Sequence, residues 1–453
     1  VKCLVFVPGI MGSELRNTQT GERVWPPTIG QILRKNLSTE AISDENLQAI
    51  APISSIARFY PVYRSLLSDI DRCGYDTTGS QGKWFIPFAY DWRLANEVTA
   101  AALSDTLNQS PSFDEIVLLG HSMGGLVLRY LLESGEFNQQ AWFGKVTQLI
   151  TLGTPHHGAA AALKQVTGLS DNTAMTKDSV KQFVDDPRYP SAYQLVSPNG
   201  TALTQTAGLR NKLPRSVDPF SADIVHKYNL SKSNMQAARW FWSKLDVARR
   251  PSTVDYYSFV GSAHKTLHRL DWTGRDLRDT QAVDSGDGTV PISSSVDIAI
   301  PHSFSRKNHV SIFTDRQLRF ELYRMLGAPS KVEPQSADLL TSVGAPGAMG
   351  LSTDRSEYQV RDTMEISISF TEPRHQPHCT LQIMQLDADS HDGLATSAAT
   401  EPFRVNFEQA EIDYVCFKMS LELAPGVYEL VCAGDIDDPQ RTIFMVSEFS
   451  ESE

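Results

Sequence analysis

The run Ile116-Val117-Leu118-Leu119 leads into Gly120-His121-Ser122-Met123-Gly124-Gly125 and then into an apolar stretch over residues 126–132. That is G-x-S-x-G between a buried strand and a helix, where the serine occupies a sharp, strained turn and projects above the sheet. The flanking glycines let neighbouring backbone approach. The N–H of Met123 opens the helix and points where a carbonyl oxygen would become negative, so this setting predicts a nucleophile at Ser122 and one oxyanion donor at Met123.

A nucleophilic serine needs a base, and the base needs a carboxylate to orient it. Eleven histidines compete. His309, in Arg306-Lys307-Asn308-His309-Val310 just before the helical pattern at 315–326, is the expected base. His121 is expected to pack beneath the turn, His156 and His157 to line or edge the site, and His264 and His302 to be structural, while His375, His378 and His391 fall in the C-terminal region. The glycine-rich stretch Val283-Asp284-Ser285-Gly286-Asp287-Gly288 offers two acids; Asp287 is preferred and Asp284 reads as a turn former. The second oxyanion donor is expected in Val7-Pro8-Gly9-Ile10-Met11-Gly12-Ser13, with Ile10 N–H first and Met11 N–H second.

Positioning these residues requires alternating strands and helices, the pattern of a parallel sheet covered on both faces. Strands are predicted over 3–7, 115–119, 146–151, 255–260 and 298–300, and helices over 63–73, 95–107, 123–132 and 315–326. Between 158 and 253 strands are expected to be absent, and that insertion reads as a helical cap. After Gly327-Ala328-Pro329 the vocabulary changes to alternating strands and turns. The expected organisation is an α/β domain over 1–334, with a lid near 28–59 and the cap, followed by an acidic β-sandwich over 335–453. A chain ending near Ser330 is expected to retain the acyl chemistry. In the cap, Trp240, Phe241 and Trp242 between basic residues suit an acyl pocket or a lipid–water interface, with packing of a cap helix on the sheet domain as the alternative.

The 453 residues are 41% hydrophobic and 21% charged, as in ordinary folded chains. Residues 1–335 carry 35 basic and 32 acidic side chains, and residues 336–453 carry 6 and 21, so net charge goes from +3 to -15. An acidic C-terminal region repels phosphate backbones, which argues against nucleic acid and makes a protein partner the expectation for that region, with a passive stabilising appendage as the alternative. Any peripheral membrane contact would fall to the lid and cap. Five cysteines, none in a metal-binding spacing, read as reduced core residues, and neither metal nor organic cofactor is expected. No secretory leader is visible, which predicts the cytoplasm; removal of an upstream segment before Val1 is the alternative.

Six motifs in order (VFVPGIMGSEL, VWPP, FIPFAYDWR, GHSMGG, LGTPHHG and DGTVP) resemble the lecithin:cholesterol acyltransferase and lysosomal phospholipase A2 family of α/β-hydrolases, over residues 1 to about 328. The resemblance implies a serine acyl hydrolase of phospholipid-type esters, working through an acyl-Ser122 intermediate with Asp287, His309 and the N–H groups of Ile10 and Met123. Transfer of the acyl group to a lipid alcohol is the first alternative, and a soluble carboxylesterase or thioesterase the next. A binding or scaffolding protein with a vestigial hydrolase fold is the reading without catalysis. Animal members carry an acidic residue where this chain has Ile10, and a disulfide-closed lid where it has no cysteine between Trp25 and Arg58. In FIPFAYDWR, Asp91 and Arg93 are expected to form a buried pair.

Overall fold

The computed structural model describes residues 1–56, 60–172, 174–199, 202–205, 215–329, 349–353, 357–374, 378–387, 395–406, 412–434 and 440–447. The chain divides into two compact units. The first comprises Val1–Pro26, Leu37–Ile53 and Val62–Pro334, and the second Pro27–Asn36, Ser54–Pro61 and Gln335–Glu453.

Six parallel strands organise the first unit: β1 Lys2–Val7, β2 Lys83–Pro87, β3 Glu115–His121, β4 Val146–Leu152, β5 Asp255–Gly261 and β6 His302–Ser305. Their spatial order is β6-β5-β4-β3-β1-β2, so the nucleophile strand lies inside the sheet. Val5 pairs with Leu118 and Leu118 with Leu149. Helices α1 Arg64–Arg72, α2 Asn96–Gln109, α3 Met123–Glu133 and α4 Arg316–Met325 supply the layers. Because successive side chains of a strand alternate in direction, Leu4 and Phe6, Val117 and Leu119, and Ile150 and Leu152 share one face. They pack there with Leu66 and Ile70 of α1 and Leu318 and Leu322 of α4. Burial on both faces explains why β1 and β3 read as continuous apolar runs. Every residue of α3 is buried, as suits a helix hydrophobic all round.

Three expectations change. Residues 298–300 form no strand: Asp297 caps a turn through the N–H groups of Ala299 and Ile300, Ile298 is 97% exposed, and pairing with β5 begins at His302, after Pro301. The edge strand β2, absent from the predicted strands, includes the first three residues of FIPFAYDWR and ends at Pro87, where a missing N–H is tolerated. The cap holds two short strands, Leu203–Gln205 and Arg215–Ser216. They join a hairpin of His264–Trp272 and Leu277–Gly286 in a four-stranded sheet.

In the second unit a three-stranded sheet (Met349–Thr353, Thr363–Arg374, Ile412–Ser420) and a six-stranded one built on His378–Leu386, Gly426–Gly434 and Gln440–Ser447 share one core. Ile366, Ile368, Leu381, Leu430 and Phe444 fill it. Two pieces of the expected lid, 27–36 and 54–61, group with these strands, and the helix Ile29–Arg34 packs against Gly426–Gly434. The remainder of that lid, with helix Thr39–Ile42 and strand Leu47–Pro52, stays in the first unit. Residues 57–59, His375 and His391 lie outside the described residues.

Candidate active site

Ser122 ends β3 with φ 53° and ψ -124°, a left-handed conformation costly for a residue with a Cβ. The turn is kept by its N–H, which donates to Leu152 O at 2.9 Å. A Cβ on Gly124 would collide with the carbonyl oxygen of Val7, so glycine is required where α3 crosses the end of β1.

His309 lies in the loop between β6 and α4, with Nε2 2.9 Å from Ser122 Oγ and Nδ1 2.7 Å from Asp287 Oδ2. Its backbone N–H donates to Asp287 O at 2.9 Å, so the acid holds the loop as well as the ring. The other carboxylate oxygen accepts from Thr289 N–H (2.9 Å) and Val290 N–H (2.7 Å). Burial alone would raise the Asp287 carboxyl. The facing His309 and the two N–H donors outweigh it and hold the carboxyl below its ordinary value. An ionised carboxylate against Nδ1 places the ring proton there and leaves the Nε2 lone pair toward the serine hydroxyl. Gly261 ends β5 where a Cβ would collide with Asp287, which is how the strand leaves room for the acid. The side chain of the alternative acid, Asp284, lies outside the described residues.

The loop after β1 makes a turn in which Gly12 N–H donates to Gly9 O at 3.0 Å and Met11 takes φ 62°. A positive φ at the third residue only is the type II pattern, usually met by glycine. Trp25 Nε1–H donates to Met11 O at 2.7 Å and holds the turn. A Cβ on Gly9 would stand 2.9 Å from Ser122 Cβ, so the backbone carrying Ile10 runs against the serine. Met123 is the first residue of α3, where N–H groups have no partner within the helix.

The other histidines are placed elsewhere. His121 is buried beneath the turn, its Nδ1 2.8 Å from Tyr63 Oη and its Nε2 3.0 Å from His309 O. His156 is buried among Arg129, Thr151 and Ser258, and burial followed by Arg129 pushes it well below its ordinary value. His157 faces Asp297 at 3.7 Å, His264 lies 2.9 Å from Arg306 O, and His302 lies 3.1 Å from Ile300 O.

Asp91 and Arg93 form a bidentate pair at 2.8 and 2.7 Å, with Arg93 1% exposed. The guanidinium also donates to Ile42 O and Asp44 O and stacks over Tyr189, anchoring the segment before Leu47–Pro52. A cleft of about 490 Å³ beside this pair, between Leu47, Phe88, Tyr90 and Val98, includes none of Ser122, Asp287 and His309 in its lining. The three cap aromatics lie on helix Lys232–Lys244 and do not share a face. Phe241 is buried and stacks on Tyr130, Trp242 donates to Gln194 O at 2.9 Å, and Trp240 is 42% exposed. A continuous wall of all three is therefore excluded by the helical step between neighbours.

Sequence reasoning missed Tyr63 and the holding role of Trp25. Trp25 lay within a quoted motif, whereas Tyr63 carries no local signal beyond the start of an amphipathic helix.

Among the described residues, no group of His, Cys, Asp and Glu is arranged to hold a metal ion, and no helix is long and apolar enough to cross a membrane.

No curated protein matches the chain significantly in sequence. Among solved structures, the metagenomic carboxyl esterase MGS0156 is 12% identical with a TM-score of 0.30, over 74% of this chain and 72% of that one. The lin2722 product of Listeria innocua is 10% identical with a TM-score of 0.31, over 73% and 96%. A chitin binding domain from Burkholderia pseudomallei is 13% identical with a TM-score of 0.18 over 21% of this chain, which spans 57% of that protein's length. Residues 42–206 match the model of the lecithin:cholesterol acyltransferase family, a segment that includes Arg93 and Ser122 and ends before Asp287 and His309. Three of the six short motifs, FIPFAYDWR, GHSMGG and LGTPHHG, lie within residues 42–206, and over that segment of the α/β-hydrolase fold the resemblance is one to the lecithin:cholesterol acyltransferase family.

Proposed function

We propose that the protein is a serine acyl hydrolase of phospholipid-type esters, with Ser122 as nucleophile, His309 as base and Asp287 as the orienting acid. The observation that carries this reading is the aligned contact of Ser122 Oγ with His309 Nε2 at 2.9 Å and of Nδ1 with Asp287 at 2.7 Å. His309 takes the serine proton as Oγ adds to the ester carbonyl, and the N–H groups of Ile10 and Met123 receive the negative charge on the carbonyl oxygen. Collapse breaks the ester bond, and the alcohol leaves with the proton held by His309. Water then attacks the acyl-Ser122 ester with His309 again as base, and the carboxylic acid departs.

The lipid character of the substrate rests on the family match, and Trp240 is the aromatic of the cap free to meet a lipid–water interface. A fluorophosphonate probe should label Ser122 in the folded wild type and leave Ser122→Ala unlabelled. Absence of labelling would overturn the reading in favour of a scaffold. Turnover of a phospholipid panel with and without an added lipid alcohol then separates hydrolysis from transfer.

A further inference from the structure

Three functional elements converge on two side chains that the acyl chemistry does not use. Gly9, next to the expected oxyanion donor Ile10, gives its N–H to Tyr63 Oη at 3.0 Å. Tyr63 Oη lies 2.8 Å from His121 Nδ1, and His121 Nε2 lies 3.0 Å from the carbonyl oxygen of His309. Tyr63 and His121 are both buried, and their rings meet edge-on with centroids 5.5 Å apart.

Counting protons fixes every direction. The His309 carbonyl can only accept, so His121 Nε2 must carry a proton. A neutral imidazole then has a bare Nδ1, which accepts the one proton Tyr63 can give. Tyr63 in turn accepts from Gly9. A charged His121 would drive two N–H groups into this path and leave the phenol proton without its acceptor. Burial, and secondarily His309, push His121 down to about 3, which agrees with a neutral ring.

We infer that Tyr63 and His121 are positioning residues for the acyl chemistry: one directed path of hydrogen bonds, Gly9 to Tyr63 to His121 to His309, locks the oxyanion turn and the base loop to the nucleophile strand. The path runs from residue 9 through 63 and 121 to 309 and supports both partners of Ser122 at once. Gly9 N–H is committed to Tyr63, which fixes the Pro8–Gly9 peptide plane one residue before Ile10 and leaves the Ile10 N–H for the substrate. On the other side, the His309 backbone is held by His121 at its carbonyl and by Asp287 at its N–H. Displacement of the turn or the base by about 1 Å is enough to cost on the order of 10²-fold in rate.

The inference rests on the serine-hydrolase reading, so the experiment first establishes that wild type labels at Ser122 and that Ser122→Ala does not turn over. If either fails, the reading falls. Tyr63→Phe, His121→Leu and His121→Gln are then compared on a soluble short-chain ester. Glutamine spaces an acceptor and a donor much as the imidazole does, so it can take the Tyr63 proton and give an N–H to His309 O; leucine does neither. Tyr63→Phe and His121→Leu should each lower kcat by on the order of 10²-fold with KM little changed, and a trifluoromethyl ketone that forms a tetrahedral adduct should bind more weakly in the same proportion. His121→Gln should restore most of what leucine removes, and the double variant Tyr63→Phe/His121→Leu should lose far less than the product of the two. With Ser122 labelling intact in wild type, normal kcat in Tyr63→Phe, or equal loss in the glutamine and leucine variants, would overturn the inference alone. Should Tyr63→Phe fold poorly, the glutamine–leucine comparison decides.

Discussion

His121 should make the α/β unit lose stability on mild acidification, and His121→Gln should remove that share. The folded protein holds this imidazole neutral down to about pH 3, against an ordinary value of 6.5. Between those limits the unfolded chain binds a proton that the native protein refuses, so stability falls as pH falls from about 6.5 toward 3 and is flat above about 7.5. At pH 5 the loss is RT ln(1 + 10^1.5), about 2 kcal/mol for this one group. Spread over the unfolding entropy of a unit of roughly 300 residues, that is a shift of about 3 °C in Tm. His156 is pushed down in the same way, but it is present in both proteins and cancels in the comparison. Asp287, whose carboxyl is also lowered, acts in the same direction, but its contribution is lost only as pH falls below about 4, outside the window. Calorimetry of wild type and His121→Gln at pH 7.5 and 5.0 reads the effect. The wild-type Tm should drop by about 3 °C more than that of the variant. Equal drops would refute a neutral, proton-refusing His121, and with it the hydrogen-bond directions assigned from Gly9 to His309.

Three other outcomes are expected. Ser122→Ala, His309→Ala and Asp287→Asn should each reduce kcat by on the order of 10⁴ with circular dichroism unchanged, because the three act as a unit; near-normal turnover in Asp287→Asn would reject that acid. Phe241→Ala should cost about 3–5 kcal/mol of stability, read by chemical denaturation, whereas Trp240→Ala, which removes a part-exposed ring packed beside Tyr130, should cost less and lower turnover on phospholipid vesicles more than on a soluble ester. A chain ending at Pro334 should expose residues 27–36 and 54–61 to limited proteolysis that the full chain resists, since both belong to a compact unit whose other strands would be missing.

What could be read from sequence tracks how local the cause is. Four of the six sheet strands announce themselves because burial on two faces leaves unbroken apolar runs, as in Val117–Leu118–Leu119. The turn at Ser122 is legible because a serine held at positive φ requires glycine around it. The hairpin of His264–Trp272 and Leu277–Gly286 is harder: only Thr266, Leu270 and Trp272 are buried along its first strand, among charged residues, and the alternation is easily taken for loop. Residues 298–300 mislead in the other direction, since an apolar triplet before proline resembles a strand while Asp297 turns the chain instead. The place of His121 beneath the turn is legible in sequence, but its path to Tyr63, Gly9 and His309 is not. Its bonds join residues 54, 58 and 188 positions apart, and no periodicity encodes a pairing at such separations.

The division of the chain has a consequence for how the protein is made. Residues 27–36 and 54–61 leave the ribosome well before the rest of their own unit, which begins about 300 residues after the first of these segments. At the usual 5–20 residues per second, this is an interval of roughly 15–60 s. During it the α/β unit can collect its sheet and helices while two of its connecting segments wait without the strands they join. The β-unit, discontinuous in sequence, is the last part to close, and its folding is slowed by the loop that must be brought together. Synthesis that stalls between residues 334 and 453 therefore yields a chain that holds the residues of the α/β unit and two segments without the strands they join.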